Sequence, residues 1–398
     1  MREDAKVIGL ISAAHGMSHF YQLLLAPLFP FIKDGLGVSY AALGFLVAVF
    51  YTLSALLQPL AGFVVDRYGA RNVLLGGVAF FIAGTLVQGF ATGYGMLALG
   101  AVLNGIGNSV FHPADFGILN ARVSPPCLGY AFSAHGVAGY IGYAVAPLFG
   151  VAIGAAFGWH GALLLGSALG VALLAVLLLN SRHLHIEVRP QRSSIRSDAR
   201  VLMAAPVVLC FLYFAVFAAG LTGLQSFSVS AMIEQFGIPA TSASSALTAY
   251  LAAAAAGILA GGFVATHTGR HDLVAAAGLG VNALAILLVA MNALPGVALP
   301  AALAVAGFSS GVVAPSRDLI VRASTPPGAT GRVFGFVYSG IDVGSLATPV
   351  FYGWMLDQHL PQGVFYTVAG FTALAVLTVL LLPGGSVLVR NPAPVKKA

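Results

Sequence analysis

A charged hairpin near the start of the chain lies between two apolar runs of about 20 residues, and each run is long enough to cross a bilayer. The hairpin covers residues 62–71 and reads GFVVDRYGAR. At an offset of 200 residues, from 62 to 262, the chain returns to GFV; Gly269 then matches Gly69, while His271 replaces Arg71. A repeat at this distance predicts a chain made of two related halves.

The composition excludes an ordinary soluble domain. Of the 398 residues, 59% are hydrophobic and only 8% are charged, against about 25% charged residues in soluble proteins. We therefore predict an all-α membrane protein with twelve transmembrane helices in two pseudo-symmetric six-helix bundles, at 1–180 and 205–398, joined by a cytoplasmic linker at 181–204. The predicted spans are 7–32, 41–65, 72–91, 95–121, 129–155, 161–179, 205–229, 243–266, 272–292, 296–320, 331–355 and 364–385.

The basic residues indicate the topology. If both termini are cytoplasmic, all of the 18 Lys and Arg residues lie on the cytoplasmic side except Lys33, on the outer side, and Arg317, inside a predicted span. Membrane proteins carry such an excess of positive charge in their cytoplasmic loops. Topology and contact with lipid headgroups therefore explain the net charge of +6, and no nucleic-acid partner is expected. We predict a multi-pass protein of the cell inner membrane that functions as a monomer.

The hairpin is similar to the loop signature of the major facilitator superfamily, G-x-x-x-D-R-x-G-x-[RK], which connects the second and third of twelve helices. The resemblance implies a cytoplasmic latch at the hinge between the halves, and the second copy has lost its acid because Thr266 stands at the position of Asp66. We expect the two glycines of the hairpin to permit a tight reversal and Asp66 to meet a helix N-terminus. The predicted latch residues are Gly62, Asp66, Arg67, Gly69 and Arg71.

Two polar stripes occur in the first half. The first span carries His15, Ser18, His19 and Gln22 on one helical face, and Pro27 and Pro30 should kink or end that helix. The fourth span carries Asn104, Asn108, His112 and Asp115, with Pro113 expected to loosen the helix near Ser109. Because polar side chains are costly in lipid, both faces should line a cavity or hydrogen-bond a neighbouring helix.

Residues 105–113 (GIGNSVFHP) resemble the G-x-G-S-x-V-F-H-P segment of the fosmidomycin-resistance group of major facilitators, which are drug exporters. Residues 57–59 (LQP), and His15 followed by Pro30, match the same group, and the specific match covers about residues 10–150. This chain departs from the group at two places. His19 stands where the group usually has an acid, and His135 begins the segment that reads Q-x-G-G in the group and HGVAG here. Histidine thereby enters the expected binding region.

Residues 142–150 (GYAVAPLFG) differ at one position from the G-x-x-x-G-P-x-x-G motif of exporters in the superfamily. The predicted helix-packing residues are Gly142, Pro147 and Gly150, because small residues let two helices approach closely and a proline bends a helix. Ordinary close packing is the alternative explanation for the glycines. The motif favours export over import.

The second half repeats the first at an offset of 202, but its polar residues differ. Asp115 becomes Arg317, which is followed by Asp318, and Asp342 shares a helical face with Tyr338. Arg317 is expected to pair with Asp342 or with an anionic substrate. Gln225, in the seventh span, is a further candidate for the cavity lining.

Together these features predict a secondary active transporter that works by alternating access and exports a small polar or anionic molecule or drug in exchange for protons. Asp115 with His112 is the first candidate for proton coupling, followed by Asp342; the alternative for Asp115 is a structural tie near Arg122. The predicted substrate-binding residues are His15, His19, Gln22, Asn108, His135, Gln225, Arg317 and Tyr338.

An importer of an organic acid or of a transition-metal ion remains open, since four histidines of the first half could converge as ligands. No thiolate joins them, because Cys127 lies in a predicted loop and Cys210 in the other half; we expect no metal centre, no disulfide and no cofactor. A membrane receptor is disfavoured by the absence of a long segment outside the spans. An enzyme is disfavoured because no nucleophile–base pair or phosphate-binding loop is recognisable.

Overall fold

The computed structural model describes residues 2–186, 199–326 and 330–381, and within them the chain is built from α-helices joined by short turns. Residues 187–198 of the predicted linker and the end of the last predicted span lie outside the described residues. The helices are α1 (Arg2–Leu24), α2 (Phe29–Leu36), α3 (Tyr40–Tyr68), α4 (Ala70–Gly89), α5 (Tyr94–Ser109), α6 (Phe111–Arg122), α7 (Leu128–Leu179), α8 (Ala199–Leu202), α9 (Ala205–Phe236), α10 (Ala240–His267), α11 (His271–Ala290), α12 (Leu299–Ala323), α13 (Thr330–Ala347), α14 (Pro349–Asp357) and α15 (Pro361–Leu380).

The helices account for the twelve predicted spans. Within the described ranges, ten helical segments are long and apolar enough to cross a membrane. One of them, Pro125–Leu179, contains two spans, because Gly158 adopts φ 75° and interrupts the helical backbone. The remaining span is α1, whose polar stripe makes it less apolar than the others. The predicted fold is therefore confirmed.

Prolines break some spans and leave others continuous. In the first span, helix α1 ends at Leu24, and the chain continues through the 3₁₀ turn Ala26–Leu28 into α2. Pro27 and Pro30 predicted this break. The fourth span is interrupted at Val110, between α5 and α6, close to the carbonyl that Pro113 leaves unpaired. The matching Pro315 lies inside the continuous helix α12.

The hairpin is tighter than its sequence predicted. Helix α3 extends to Tyr68 and α4 begins at Ala70, so Gly69, with φ 84°, makes the reversal by itself. The expectation that Gly62 also serves the turn was wrong, because Gly62 lies within α3. Asp66 is exposed and has no helix N-terminus as a partner among the described residues; the latch function stays a prediction.

The two halves are joined at the end of the bundle opposite the hairpin. The carboxylate of Asp357, at the end of α14, accepts hydrogen bonds from the backbone N–H groups of Tyr40 (2.8 Å) and Ala41 (2.9 Å) at the start of α3. Lys33 also pairs with Asp357, at 3.7 Å. Nearer the middle of the bundle, the Thr248 hydroxyl of α10 donates to the Ala144 carbonyl of α7 at 2.9 Å. The contacts of Asp357 close this end of the bundle, and we call them the seal at Asp357.

At the hairpin end, two acids fasten the start of α1 to later turns of the first half. The Asp4 carboxylate accepts hydrogen bonds from the Ser124 backbone N–H (2.9 Å) and hydroxyl (3.1 Å). These bonds hold the pKa of Asp4 below its ordinary value, because they stabilise the charged form. Glu3 lies 2.8 Å from Nδ1 of His183. The start of the first half is thereby fixed to its last turn.

Candidate functional site

The centre of the first half is a buried carboxylate. Asp115, on α6, has no exposed surface, and its Oδ2 lies 3.1 Å from Nε2 of His135 and 3.3 Å from Nδ1 of His15. Its other oxygen, Oδ1, has no hydrogen-bond partner among the described residues. The break at Val110 starts a new helix at Phe111, and that helix directs Asp115 towards α1 and α7. A charged group enclosed in this way depends on its immediate neighbours for stabilisation.

Four imidazole rings lie close together beside this carboxylate, and two of them, those of His15 and His135, contact it. The His15 ring stacks on His135 with centroids 3.5 Å apart, and it lies 4.4 Å from His19 and 5.3 Å from His112. His15 and His135 are buried, whereas His112 is exposed. The structure therefore gathers histidines of the two predicted polar stripes, together with His135, into one cluster. We call it the histidine cluster: His15, His19, His112, His135 and the carboxylate of Asp115.

The structure adds closer partners to the predicted pair of His112 and Asp115. These two residues are neighbours on α6 and interact electrostatically, but the side chains nearest to Asp115 come from α7 and α1. His112 lies in the first turn of α6 and turns its ring to the exposed side. The structural alternative is also not observed, because Arg122 donates to the carbonyl of His183 instead. Only the fold could show that another helix approaches Asp115 more closely.

Small residues of α7 make room for the cluster. A Cβ atom on Gly139 would lie 3.1 Å from Nε2 of His15 and 3.3 Å from Cε1 of His19, so the missing side chain lets both rings rest on the helix backbone. Farther along, Gly142 packs on the backbone of Gly16, and Gly150 packs on Leu24, both in α1. The predicted packing motif thus joins α7 to α1 within one half, and close packing accounts for both glycines.

A hydrogen-bonded network continues from the histidine cluster towards the second half. Gln22 donates to Asn108 (3.0 Å), Asn108 donates to Ser54 (2.8 Å), and the hydroxyl of Tyr143 donates to Gln22 (2.7 Å). The ring of His19 lies 4.3 Å from that of Tyr143. The amides predicted to face a cavity therefore satisfy each other, and they link α1, α3, α5 and α7.

Tyr143 was missed in the sequence, although its position was visible there. It follows His135 and Gly139 at intervals of four residues, which places all three on one face of α7. In the structure Tyr143 and Tyr51 interact electrostatically with Asp342, which is half-buried on α13. The second predicted proton-coupling acid therefore faces the network of the first half.

The second half carries a charged cluster of different composition. Nε of Arg317 lies 3.0 Å from Oδ1 of Asp318, and the hydroxyl of Tyr338 donates to the same oxygen at 2.8 Å. The guanidinium of Arg317 also lies 4.6 Å from the centroid of the Phe214 ring, within range of a cation–π contact. We call Arg317, Asp318 and Tyr338 the arginine cluster.

The expected pairing of Arg317 with Asp342 was wrong. Adjacent residues leave a helix in different directions, but the arginine side chain is long enough to fold back and contact its neighbour Asp318. Tyr140 of α7 interacts electrostatically with both members of this pair, so the arginine cluster faces the first half. Gln225 is buried on α9, and within the described residues it makes no hydrogen bond to either cluster.

Comparison with known proteins identifies the family of this fold. The family model of the Major Facilitator Superfamily matches residues 10–230 and 209–398. The chain belongs to the major facilitator superfamily. It is therefore a multi-pass membrane transporter and not an enzyme, as the sequence predicted.

Relatives and solved structures agree with this assignment. The fosmidomycin resistance protein of Escherichia coli (strain K12) is 24% identical over 394 residues, which cover 96% of this chain and 94% of that protein. Multidrug resistance protein 1 of Bacillus subtilis (strain 168) is 26% identical over 227 residues, 55% of this chain and 56% of that protein. A bacterial homologue of the human lysosomal transporter Spinster, solved in an inward-facing and occupied conformation, has a TM-score of 0.76 at 17% identity and covers 95% of this chain and 96% of its own. The resemblance to the fosmidomycin-resistance group thus extends well beyond residues 10–150.

Proposed function

We propose that this transporter exports a small polar or anionic molecule in exchange for protons, and that Asp115 carries the proton. The observation that supports this proposal most directly is the complete burial of Asp115 with two imidazole nitrogens at one carboxylate oxygen. A carboxylate in such a place is stable when it is protonated or when a neighbouring imidazole is. The cluster therefore favours holding a proton, and a change in its surroundings can release that proton.

Alternating access supplies the change in surroundings. The contacts at Asp357 join the halves at the end opposite the hairpin, and we infer from them that the cavity between the halves opens towards the hairpin end. When the halves rock, that end closes and the seal opens, which exposes the clusters to the other side. If the hairpin is cytoplasmic, the described conformation accepts substrate from the cytoplasm and the proton leaves to the same side.

Arg317 is our candidate for recognising the charge of the substrate. Its guanidinium is partly exposed, with 19% of the side-chain surface accessible, and it faces the first half near Tyr140. Asp318 already occupies one of its donors, so a carboxylate or phosphonate would bind the remaining ones. The names of two relatives, a fosmidomycin resistance protein and a multidrug resistance protein, support export as the direction.

A flux assay in proteoliposomes tests the proposal. Purified transporter is reconstituted, and the movement of radiolabelled organic acids and phosphonates is followed with and without a pH gradient, with a chelator present to remove metal ions. We expect the substrate to accumulate against its concentration gradient only when protons flow down their own gradient in the direction opposite to substrate movement. Uptake along the proton gradient would indicate an importer, and accumulation that ignores the pH gradient would refute proton coupling.

A further inference from the structure

We propose that the histidine cluster binds one divalent transition-metal ion through His15, His112 and His135, with Asp115 as the fourth ligand. Each of the three histidines offers one ring nitrogen, and these atoms all lie within 4.8 Å of one another. Asp115 Oδ2 lies 3.1 Å and 3.3 Å from two of the histidine rings. In a tetrahedral site with bonds of about 2.0 Å, neighbouring ligand atoms are about 3.3 Å apart. The observed separations therefore fit two edges of such a site.

Two buried polar atoms of the cluster lack the hydrogen bonds that such atoms normally have. Oδ1 of Asp115 makes no hydrogen bond among the described residues, and Nδ1 of His15 has only its 3.3 Å ion-pair contact with Oδ2, although both residues are buried. Buried donors and acceptors without a partner are rare, because each costs free energy of desolvation. A cation held between the imidazoles and the carboxylate would satisfy both groups.

The ligand types select the class of metal. Three imidazoles and one carboxylate suit zinc, nickel or cobalt in the divalent state. The hard cations Mg²⁺ and Ca²⁺ prefer sites made entirely of oxygen ligands, and monovalent copper prefers sulfur. Neither free cysteine belongs to the cluster.

The exposure of the ligands provides a route into the site. His112 is exposed, whereas His15 and His135 are buried behind it. An ion that enters the cavity would therefore meet His112 first and then exchange its remaining waters for the buried ligands. Because Gly139 has no side chain, the His15 ring can lie against the backbone of α7 beside His135.

The metal site includes Asp115, the proposed proton carrier. The inference rests on the proposed function only for one consequence, namely that a bound ion would block proton-driven transport. Binding itself needs no gradient. It can be measured in detergent with the full-length transporter after any polyhistidine tag has been removed. Co²⁺ is the probe, because its visible absorption reports tetrahedral nitrogen and oxygen coordination.

We expect wild-type protein to bind one Co²⁺ ion and to show the absorption of a tetrahedral site. Added Zn²⁺ should displace the Co²⁺, and added Mg²⁺ should not. The variants His15→Gln and His135→Gln should each weaken binding by about tenfold or more, since each removes one ligand. His160→Gln is the matched control on α7, because that ring stacks on Trp159 and its Nε2 lies near the carbonyl of Ala91, away from the cluster. It should bind like wild type.

Thermal unfolding gives a second readout. A metal that binds the folded protein raises its melting temperature, and this increase should occur in wild type and in His160→Gln but not in the double variant His15→Gln/His135→Gln. Absence of the tetrahedral spectrum, or equal binding by the double variant, would overturn the metal site. Metal binding without proton-dependent flux would refute only the proposed function, and proton-dependent flux without metal binding would refute only the metal site.

Discussion

The two halves of this transporter share a fold but differ at the equivalent place in each. Asp115 and Arg317 are separated by 202 residues, the offset of the internal repeat, and both lie towards the hairpin end of the fourth span of their half. The carboxylate is enclosed by imidazoles from two other helices, whereas the guanidinium is paired with the next residue of its own helix. Duplication preserved the scaffold, and the charge at one position was reversed. This difference is the basis of our proposal that one half holds a proton or cation and the other an anion.

The difference begins in the backbone. In the first half the span is broken at Val110, and the short helix α6 turns its acid inwards. In the second half α12 continues through Pro315, so Arg317 remains on the side of an unbroken helix, and 19% of its side-chain surface is exposed. A carboxylate without access to water needs partners from other helices, while a partly exposed arginine does not. Each of the following experiments tests one side of this difference.

The largest effect is expected from removing the charge of the buried acid. Asp115→Asn should reduce proton-driven accumulation to background, because the amide cannot exchange a proton, and counterflow of substrate down its own gradient should survive. Asp318→Asn, the matched change in the second half, should keep its dependence on the pH gradient. Both variants are compared with wild type in proteoliposomes after their melting temperatures have been measured. Normal gradient-driven transport by well-folded Asp115→Asn would transfer the role to Asp342.

A smaller effect is expected at the arginine. Arg317→Lys keeps the charge but loses the planar fork, so a carboxylate or phosphonate should bind about tenfold more weakly, as for the loss of one charge-assisted hydrogen bond of roughly 1.5 kcal/mol. Equilibrium binding measures the change, and the response to pH should be preserved. If affinity is unchanged while the melting temperature falls, Arg317 has a structural role and the contrast between the halves loses its functional meaning.

The paired hairpins provide a third comparison. Asp66→Asn should slow transport several-fold and leave equilibrium binding unchanged, because Asp66 is exposed in the last turn of α3 and belongs to neither cluster. Thr266→Asp restores the acid in the second hairpin and should change neither quantity by much if only the first copy acts as a latch. Transport and binding are measured on the same preparations. Transport at the wild-type rate in Asp66→Asn would contradict the latch.

The smallest effect concerns the anchor at Asp4, for which the second half has Pro206 at the equivalent position. Its folded pKa lies below the ordinary value of 3.8, so its carboxylate contributes stability at neutral pH and loses that contribution as the pH falls through the folded pKa. Asp4→Asn should therefore lower the melting temperature at pH 7 by at most about 2 °C. The difference in melting temperature between wild type and Asp4→Asn should disappear in strongly acidic buffer. A difference that grows in acid would contradict a stabilising role for the charged carboxylate.

The sequence predicted the scaffold well because hydropathy and charge asymmetry are properties of single segments. It also grouped the residues of the clusters correctly by helix face, as for His15 with His19. Which faces meet depends on packing between helices, and the contact of His135 with Asp115 could not be read from either helix alone. Prolines were equally ambiguous: Pro113 and Pro315 present the same local chemistry, and only the surrounding packing decides which helix breaks. Side-chain length misled the interpretation of Arg317, since a long guanidinium reaches its own neighbour.

The seal at Asp357 is built on backbone N–H groups, and this gives it an unusual tolerance of mutation. Every residue other than proline carries a backbone N–H, so replacing Ala41 with another residue leaves the donor in place. The acceptor has no such protection, because only a side chain of the right length and charge can stand at position 357. A saturation scan of this contact should therefore find position 357 intolerant of substitution, whereas Ala41 should tolerate most residues and reject proline.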